Sequence, residues 1–450
     1  MKHLASIAIA VTVVTALAID MDLRLWERRD RVIEHDVHGY YGYLPAIFIY
    51  EDIRLEKRDY RQEGDYYLVW LNTSKEGYNV IKYPCGLAVM YSPFFVLAHI
   101  SAQLVGDTAD GSTALYKVGL IVCALFYLGI GLLLLRAALR QLGFTETSVA
   151  ITLLMVGVGT NLLCYASQSS TMPHVHGFFL FSAFLLLTIR WYQSPSLKDA
   201  VLLGITFGLI VLVRPTNAVF GLVFPLYGVG SWPGLAQRFS MFRRKWSLLL
   251  VMVLTAFLVW TPQFAYWHAV TGQWVYYSYQ DEGFFFGHPH LWEGLAGFRK
   301  GWLVYTPVMA FALGGIVLLR NKATSMRSGV VTVILLHVYI TLSWWCWWYG
   351  GTYGQRSMVE TYALLAIPLC ALVERAIQWR LALRLGSAAL AVFFIWLNIF
   401  QTYQFEIGSL HHDAMTAKLY FHQFGRSEKI PDFDSYLEHP DYDRARTTGR

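Results

Sequence analysis

Residues 34–45 read EHDVHGYYGYLP, which sets a carboxylate, Asp36, just beyond the first apolar run and follows it with paired tyrosines, Tyr40 and Tyr41. A hydroxyl is a poor nucleophile at neutral pH. A positioned carboxylate can take its proton as it attacks a carbon such as an anomeric centre. If the group displaced is a phosphate, its growing negative charge needs cations on the opposite face. Cations suited to that task stand in three places. Lys82 opens the element Lys82-Tyr83-Pro84, Arg214 interrupts apolar sequence in VRPTN, and Arg356 ends WWCWWYGGTYGQR at 344–356. In the last motif Trp348 and Tyr353 offer rings for stacking on sugars or prenyl chains, and the glycines let backbone approach a ligand closely.

Each of these residues also has a plainer reading. Asp36 could be a solvated loop acid or a helix cap. Lys82 could snorkel to lipid headgroups. Arg214 is costly within apolar sequence, which points to function, yet a structural salt bridge would also hold it there. The tryptophans suit an interfacial belt. His174, in YASQSSTMPHVHG at 165–177, could bond a substrate, ligate a metal or simply sit at an interface. Its neighbour His176 is two residues on, a poor spacing for one helical face.

The elements that position these groups are membrane helices. Of the 450 residues 56% are hydrophobic and 15% charged, against roughly half and a quarter in soluble domains. The excess falls in runs of about 15–20 residues, long enough to cross a bilayer as helices. The runs lie near 3–19, 86–105, 116–135, 147–166, 175–189, 199–213, 217–231, 247–266, 302–319, 329–348, 360–373 and 386–403. The first reads as a retained span, because no small-residue cleavage site precedes Asp20. The net charge of +6 forms no basic stripe on a soluble domain, so nucleic acid is not an expected partner. The five cysteines, in largely apolar surroundings, read as small hydrophobes.

Basic links at 136–140, 190–198, 238–245, 320–327 and 375–384 should all lie on the cytoplasmic side. They do so together only if 86–105 does not cross. Its Pro93, His99, Ser101 and Gln103, with Pro84 just before it, suit an interfacial or re-entrant helix. The expectation is an all-α polytopic protein with about eleven spans. Residues 1–403 then form the membrane domain, with interfacial helices in a first outward loop at 20–115, and 404–450 form a short outward tail.

The order of these features resembles the GT-C glycosyltransferases, in particular the bacterial protein O-mannosyltransferase and lipid A aminoarabinose transferase branch. It runs from an acid and YY after the first helix, through KYP, MPHVHGFFLF, RPTN and KGWLVYTPV, to GGTYGQR. The resemblance implies Asp36 as catalytic base and Lys82 as a ligand of the lipid phosphate. Arg356 and Arg214 join it as further phosphate ligands, with Tyr40, Tyr41, Tyr83, His174, Trp348 and Tyr353 around the substrate. It implies a polyprenyl-phosphate sugar donor, a glycan, lipid or protein acceptor, and inversion at the anomeric carbon. The active site would face outward from an inner (plasma) membrane. Relatives often place a second acid in the next outward loop, but 167–174 contains none, which leaves a divalent metal unsupported there. Two rival readings are a polymerase or ligase using a polyprenyl-pyrophosphate donor, and a transporter or flippase. The last gives no role to the long first loop.

Overall fold

The computed structural model describes residues 3–57 and 71–450. Lipid offers no partners to backbone amides, so spanning segments must satisfy them internally, as helices do. Eight helices among the described residues are long and apolar enough to cross a membrane: Leu4–Glu27, Gly86–Val105, Ala114–Gln141, Pro173–Gln193, Trp246–Thr271, Thr324–Leu342, Arg356–Ala376 and Leu381–Glu406. The chain is an all-α polytopic membrane protein. Its one described sheet is a short antiparallel pair, Leu71–Thr73 with Asn79–Ile81.

The other apolar runs fold into shorter helices, several of them shaped by breaks. Glu146–Gly157 stops after 12 residues. Run 302–319 divides at Pro307 into Trp302–Tyr305 and Val308–Gly315. Run 217–231 begins inside a 3-10 turn, Pro215–Leu222, because Pro215 cannot donate the hydrogen bond that would continue Leu197–Val213.

The interior is made by helices that approach closely. A Cβ on Gly315 would stand 2.1 Å from the Pro368 carbonyl oxygen, and one on Gly204 would stand 2.3 Å from that of Met252. Small residues at such crossings replace the hydrophobic drive that lipid removes. Nearly the whole of Pro173–Gln193 and Tyr362–Ala376 is buried. By contrast Leu250, Val253, Phe257, Leu383 and Val392 are exposed on Trp246–Thr271 and Leu381–Glu406. An apolar surface of that extent belongs against lipid.

The two ends of the bundle differ. At one end Arg136 pairs with Glu146 at 3.0 Å, Lys322 pairs with Glu374 at 2.6 Å, and the Thr145 amide donates to Glu374 at 3.2 Å. The Gly228 amide donates to Ser325 O nearby. These links gather the basic segments. The Gly86–Val105 helix meets other elements toward the opposite end. Gly86 packs on the backbone of Leu212 and Val213, Tyr91 donates to Thr171 O, and Gly119 packs on Phe94 and Ala98. Its partners are thus the chain just before Arg214, the segment just before Pro173, and the first turns of Ala114–Gln141. The tail returns over this same end. Leu419 and Tyr420 pack with Tyr305 and Tyr353, while Ala445 packs among Trp345–Trp348.

Candidate active site

Asp36 opens the short helix Asp36–Tyr41, which is preceded by a left-handed His35 (φ 45°). A non-glycine residue in that region is uncommon and marks a locally constrained chain. Here it turns Asp36 inward. Its Oδ1 accepts from the Tyr83 hydroxyl at 2.7 Å, and its Oδ2 accepts from Arg356 at 2.8 Å. Tyr83 stacks on Tyr40 with ring centroids 4.2 Å apart. Burial works to raise the Asp36 carboxyl, but the Arg356 charge, the Tyr83 hydroxyl and the Lys82 charge outweigh it. The group is held below the ordinary carboxylate value and is ionised at neutral pH. Burial pushes the Tyr40 hydroxyl the other way, above its ordinary value, so it stays neutral.

Asp36, Lys82, Arg214 and Arg356 line one cavity of about 250 Å³, together with Tyr40, Tyr83 and His174. Lys82 follows the Asn79–Ile81 strand and pairs with Glu282 at 2.5 Å. Its ammonium also lies 5.5 Å from the ring centres of Tyr83 and Tyr279. Arg214, at the end of Leu197–Val213, donates to the fully buried Glu360 at 2.9 Å, and His174 Nδ1 meets the same oxygen at 3.2 Å. Glu360 Oε2 and His174 Nε2 are buried with no hydrogen-bond partner among the described residues. Tyr349, left-handed at φ 57°, places its ring beside both guanidiniums, at 5.6 Å from Arg214 and 5.8 Å from Arg356.

Three expected substrate residues stand elsewhere. Tyr41 is buried and donates to Gly111 O, packing the first loop. Trp348 faces the tail, edge-on to Tyr442 at 5.3 Å. Tyr353 is buried against Tyr305 and Phe405, with its hydroxyl near Asn398 and Gln401. None of the three lines the cavity. Sequence reading missed Glu282, Glu360, Tyr279 and Tyr349. Glu360 stands four residues after Arg356 and opens an apolar run, which is a readable signal. Glu282 lies in a polar loop and carries none.

The carboxylates on the cavity wall, Asp36 and Glu282, each hold a cation already. A divalent ion ligated by either would displace Arg356 or Lys82 from it.

A second cavity of about 410 Å³ is lined mainly by apolar side chains, among them Leu44, Ile47, Phe48, Ala88 and Val89. Tyr266 lines it while the adjacent Trp267 lines the first. Tyr43, also on its wall, donates to Tyr83 O. The two cavities therefore share a wall built from 83–85 and 266–267.

No family model matches the sequence, and no curated protein is significantly similar to it. Among solved structures it is similar to the apo form of the Archaeoglobus fulgidus oligosaccharyltransferase. The two share 15% identity with a TM-score of 0.48, over 98% of this chain and 60% of that one. The chain thus spans less than two thirds of that protein's length.

Proposed function

We propose that this protein is an integral membrane glycosyltransferase of the GT-C type that uses a polyprenyl-phosphate-linked sugar and inverts the anomeric centre. The observation that carries this reading is the ionised Asp36 carboxylate lining one cavity with Lys82, Arg214 and Arg356. An apolar cavity on the far side of its wall suits the prenyl chain. The cavity lies at the end of the bundle away from the basic links, which is the outward side under the positive-inside rule. Residues 1–403 form the membrane domain in this reading, and 404–450 an outward cap.

The donor phosphate binds among Lys82, Arg214 and Arg356, drawing Arg356 partly from Asp36. The acceptor hydroxyl lies against Asp36. As its oxygen bonds to the anomeric carbon, its proton passes to the carboxylate. The bond from that carbon to the phosphate oxygen breaks, and the electron pair leaves with the phosphate. The cations are oriented before the charge develops, and such fixed electrostatics is a large source of rate. Tyr83 holds the carboxylate oxygen so that it faces the acceptor. Tyr40 and Tyr279 supply ring faces for the sugar.

The test is transfer of labelled sugar from a polyprenyl-phosphate donor in reconstituted vesicles. Asp36→Asn should keep donor binding and lower turnover by on the order of a hundredfold or more. Near-normal turnover in Asp36→Asn would remove the base assignment. Lipid movement without covalent transfer would favour a flippase.

A further inference from the structure

At the end of the bundle that gathers the basic links stands the helix Trp232–Arg244. The Ser231 hydroxyl opens it by accepting from the Gly234 amide at 3.3 Å, and Lys245 separates it from Trp246–Thr271. One of its faces is held by the protein. Arg238 donates to Tyr227 O and lies over the Tyr192 ring, 4.1 Å from its centre. Phe242 stacks near Phe224, with ring centroids 5.8 Å apart. These partners end or follow Pro173–Gln193 and Val223–Leu226, so the helix lies across the ends of those elements.

Another edge of the helix is uncovered. Trp232, Phe239 and Trp246 are 85%, 66% and 64% exposed, and their spacing of seven sets them in one row. Arg243, one turn beyond Phe239, joins the row. The exposed apolar surface continues through Leu250, Val253 and Phe257, on the helix side that lies against lipid. An apolar row joined to that side belongs in the same phase.

The charge identifies what else meets it. Arg243, Arg244 and Lys245 follow one another and are all exposed. The chain has no Asp or Glu between Asp199 and Asp281. Acids that this end carries are already paired: Glu146 with Arg136, Asp199 with Arg190, and Glu374 with Lys322. The three cations therefore take their counter-charge from outside the chain. An anionic lipid supplies a phosphate and acyl chains together, which neither a soluble anion nor an acidic protein surface does.

We infer that Trp232–Arg244 is an interfacial helix that binds anionic lipid, with Trp232 and Phe239 among the acyl chains and Arg243, Arg244 and Lys245 on headgroup phosphates. The leaflet is the one that the basic links face. The long cationic stems reach from the apolar row to the headgroups. This binding surface lies apart from the cavity and does not depend on the transfer reaction.

The full chain is reconstituted into vesicles of equal parts phosphatidylcholine and phosphatidylglycerol. The five native cysteines are buried, so a bimane probe attaches selectively at Phe239→Cys, or at Gln237→Cys on the solvent side of the helix. The probe at 239 should be quenched by doxyl-labelled lipid and shielded from iodide, and the probe at 237 should show the reverse. Doxyl-phosphatidylglycerol should be enriched around 239 over doxyl-phosphatidylcholine by about fivefold, the effect of one cation at an anionic surface. Combining Arg243→Gln, Arg244→Gln and Lys245→Gln should abolish that preference while 239 stays shielded from iodide. Iodide reaching 239 as readily as 237 would place the row in water. Exclusion of both quenchers would show a protein surface, such as a second copy, covering it. Equal quenching by the two lipids in the wild type, or a preference that survives the triple substitution, would overturn the headgroup assignment.

Discussion

Gly177 offers a test of the site's inner wall that does not depend on the reaction. A Cβ there would stand 2.4 Å from Glu360 Cγ. Carbon atoms pack at about 3.5–4.0 Å, so Gly177→Ala requires a displacement of at least about 1 Å. A free glutamate would swing away cheaply. Glu360 is fully buried and held by Arg214 at 2.9 Å and His174 at 3.2 Å, so moving it stretches both contacts. Overpacking of this kind costs about 1–3 kcal/mol. Glu360→Ala should cost about 3–5 kcal/mol, because it strands Arg214 without its partner. In the double variant the clash is gone, since Glu360 Cβ would lie 3.5 Å from the new methyl. The combined cost should therefore match that of Glu360→Ala alone, a coupling of about 1–3 kcal/mol between neighbours. Gly314→Ala is the control. It sits in a helix with nothing within 4 Å, and should be neutral or stabilising by about 0.5–1 kcal/mol. Denaturant unfolding in detergent micelles reads all four proteins. If Gly177→Ala unfolds like Gly314→Ala, or if the two costs simply add, Glu360 is not pinned as described.

Three further outcomes concern the cavity and the topology. Removing the guanidinium in Arg356→Gln leaves burial working to raise Asp36, so the acid limb of the transfer rate should move to higher pH, whatever the absolute rate; an unmoved limb would separate Asp36 from Arg356. The same linkage appears in stability: ionised Asp36 stabilises the fold above its unfolded value, and that contribution is lost as pH falls through the lower folded value. Lys82→Met should weaken donor binding by about 10- to 100-fold, the loss of a charged hydrogen bond, while Glu282→Gln frees Lys82 and should lower the donor KM. A raised KM in Glu282→Gln would argue that the ion pair, not Lys82 alone, shapes the site. Finally, a cysteine at Ser112 should react with impermeant reagent from outside the cell, and labelling from the cytoplasm alone would show that Gly86–Val105 crosses.

What could be read from sequence divides along a physical line. Charges in short links between apolar runs act through the membrane as a whole, so their pattern is readable without contacts. The pairing of Arg136 with Glu146 and of Lys322 with Glu374 at one end follows that pattern. Isolated cations in apolar surroundings are readable for a related reason: each is expensive, so each implies a partner. Which partner it takes is a matter of packing. Arg214 reaches Glu360 across 146 residues and Arg356 reaches Asp36 across 320, and no periodicity encodes either separation. Aromatic motifs are legible only as composition. Of the segment 344–356, Trp344 and Tyr349 turn to the cavity while Trp348 and Tyr353 turn to the tail. The left-handed turns at Tyr349, Gly350 and Gly354 make that division. The tail and the cavity therefore share one short piece of chain. Whatever fastens the tail also sets where Arg356 stands, and so bears on the ionisation of Asp36. Tyr420 packs on Tyr305 beside Tyr353, so loosening the tail with Tyr420→Ala should consequently shift the acid limb in the same direction as Arg356→Gln, though less far, a coupling that Tyr420, which does not line the cavity, could not produce by contact with the substrate.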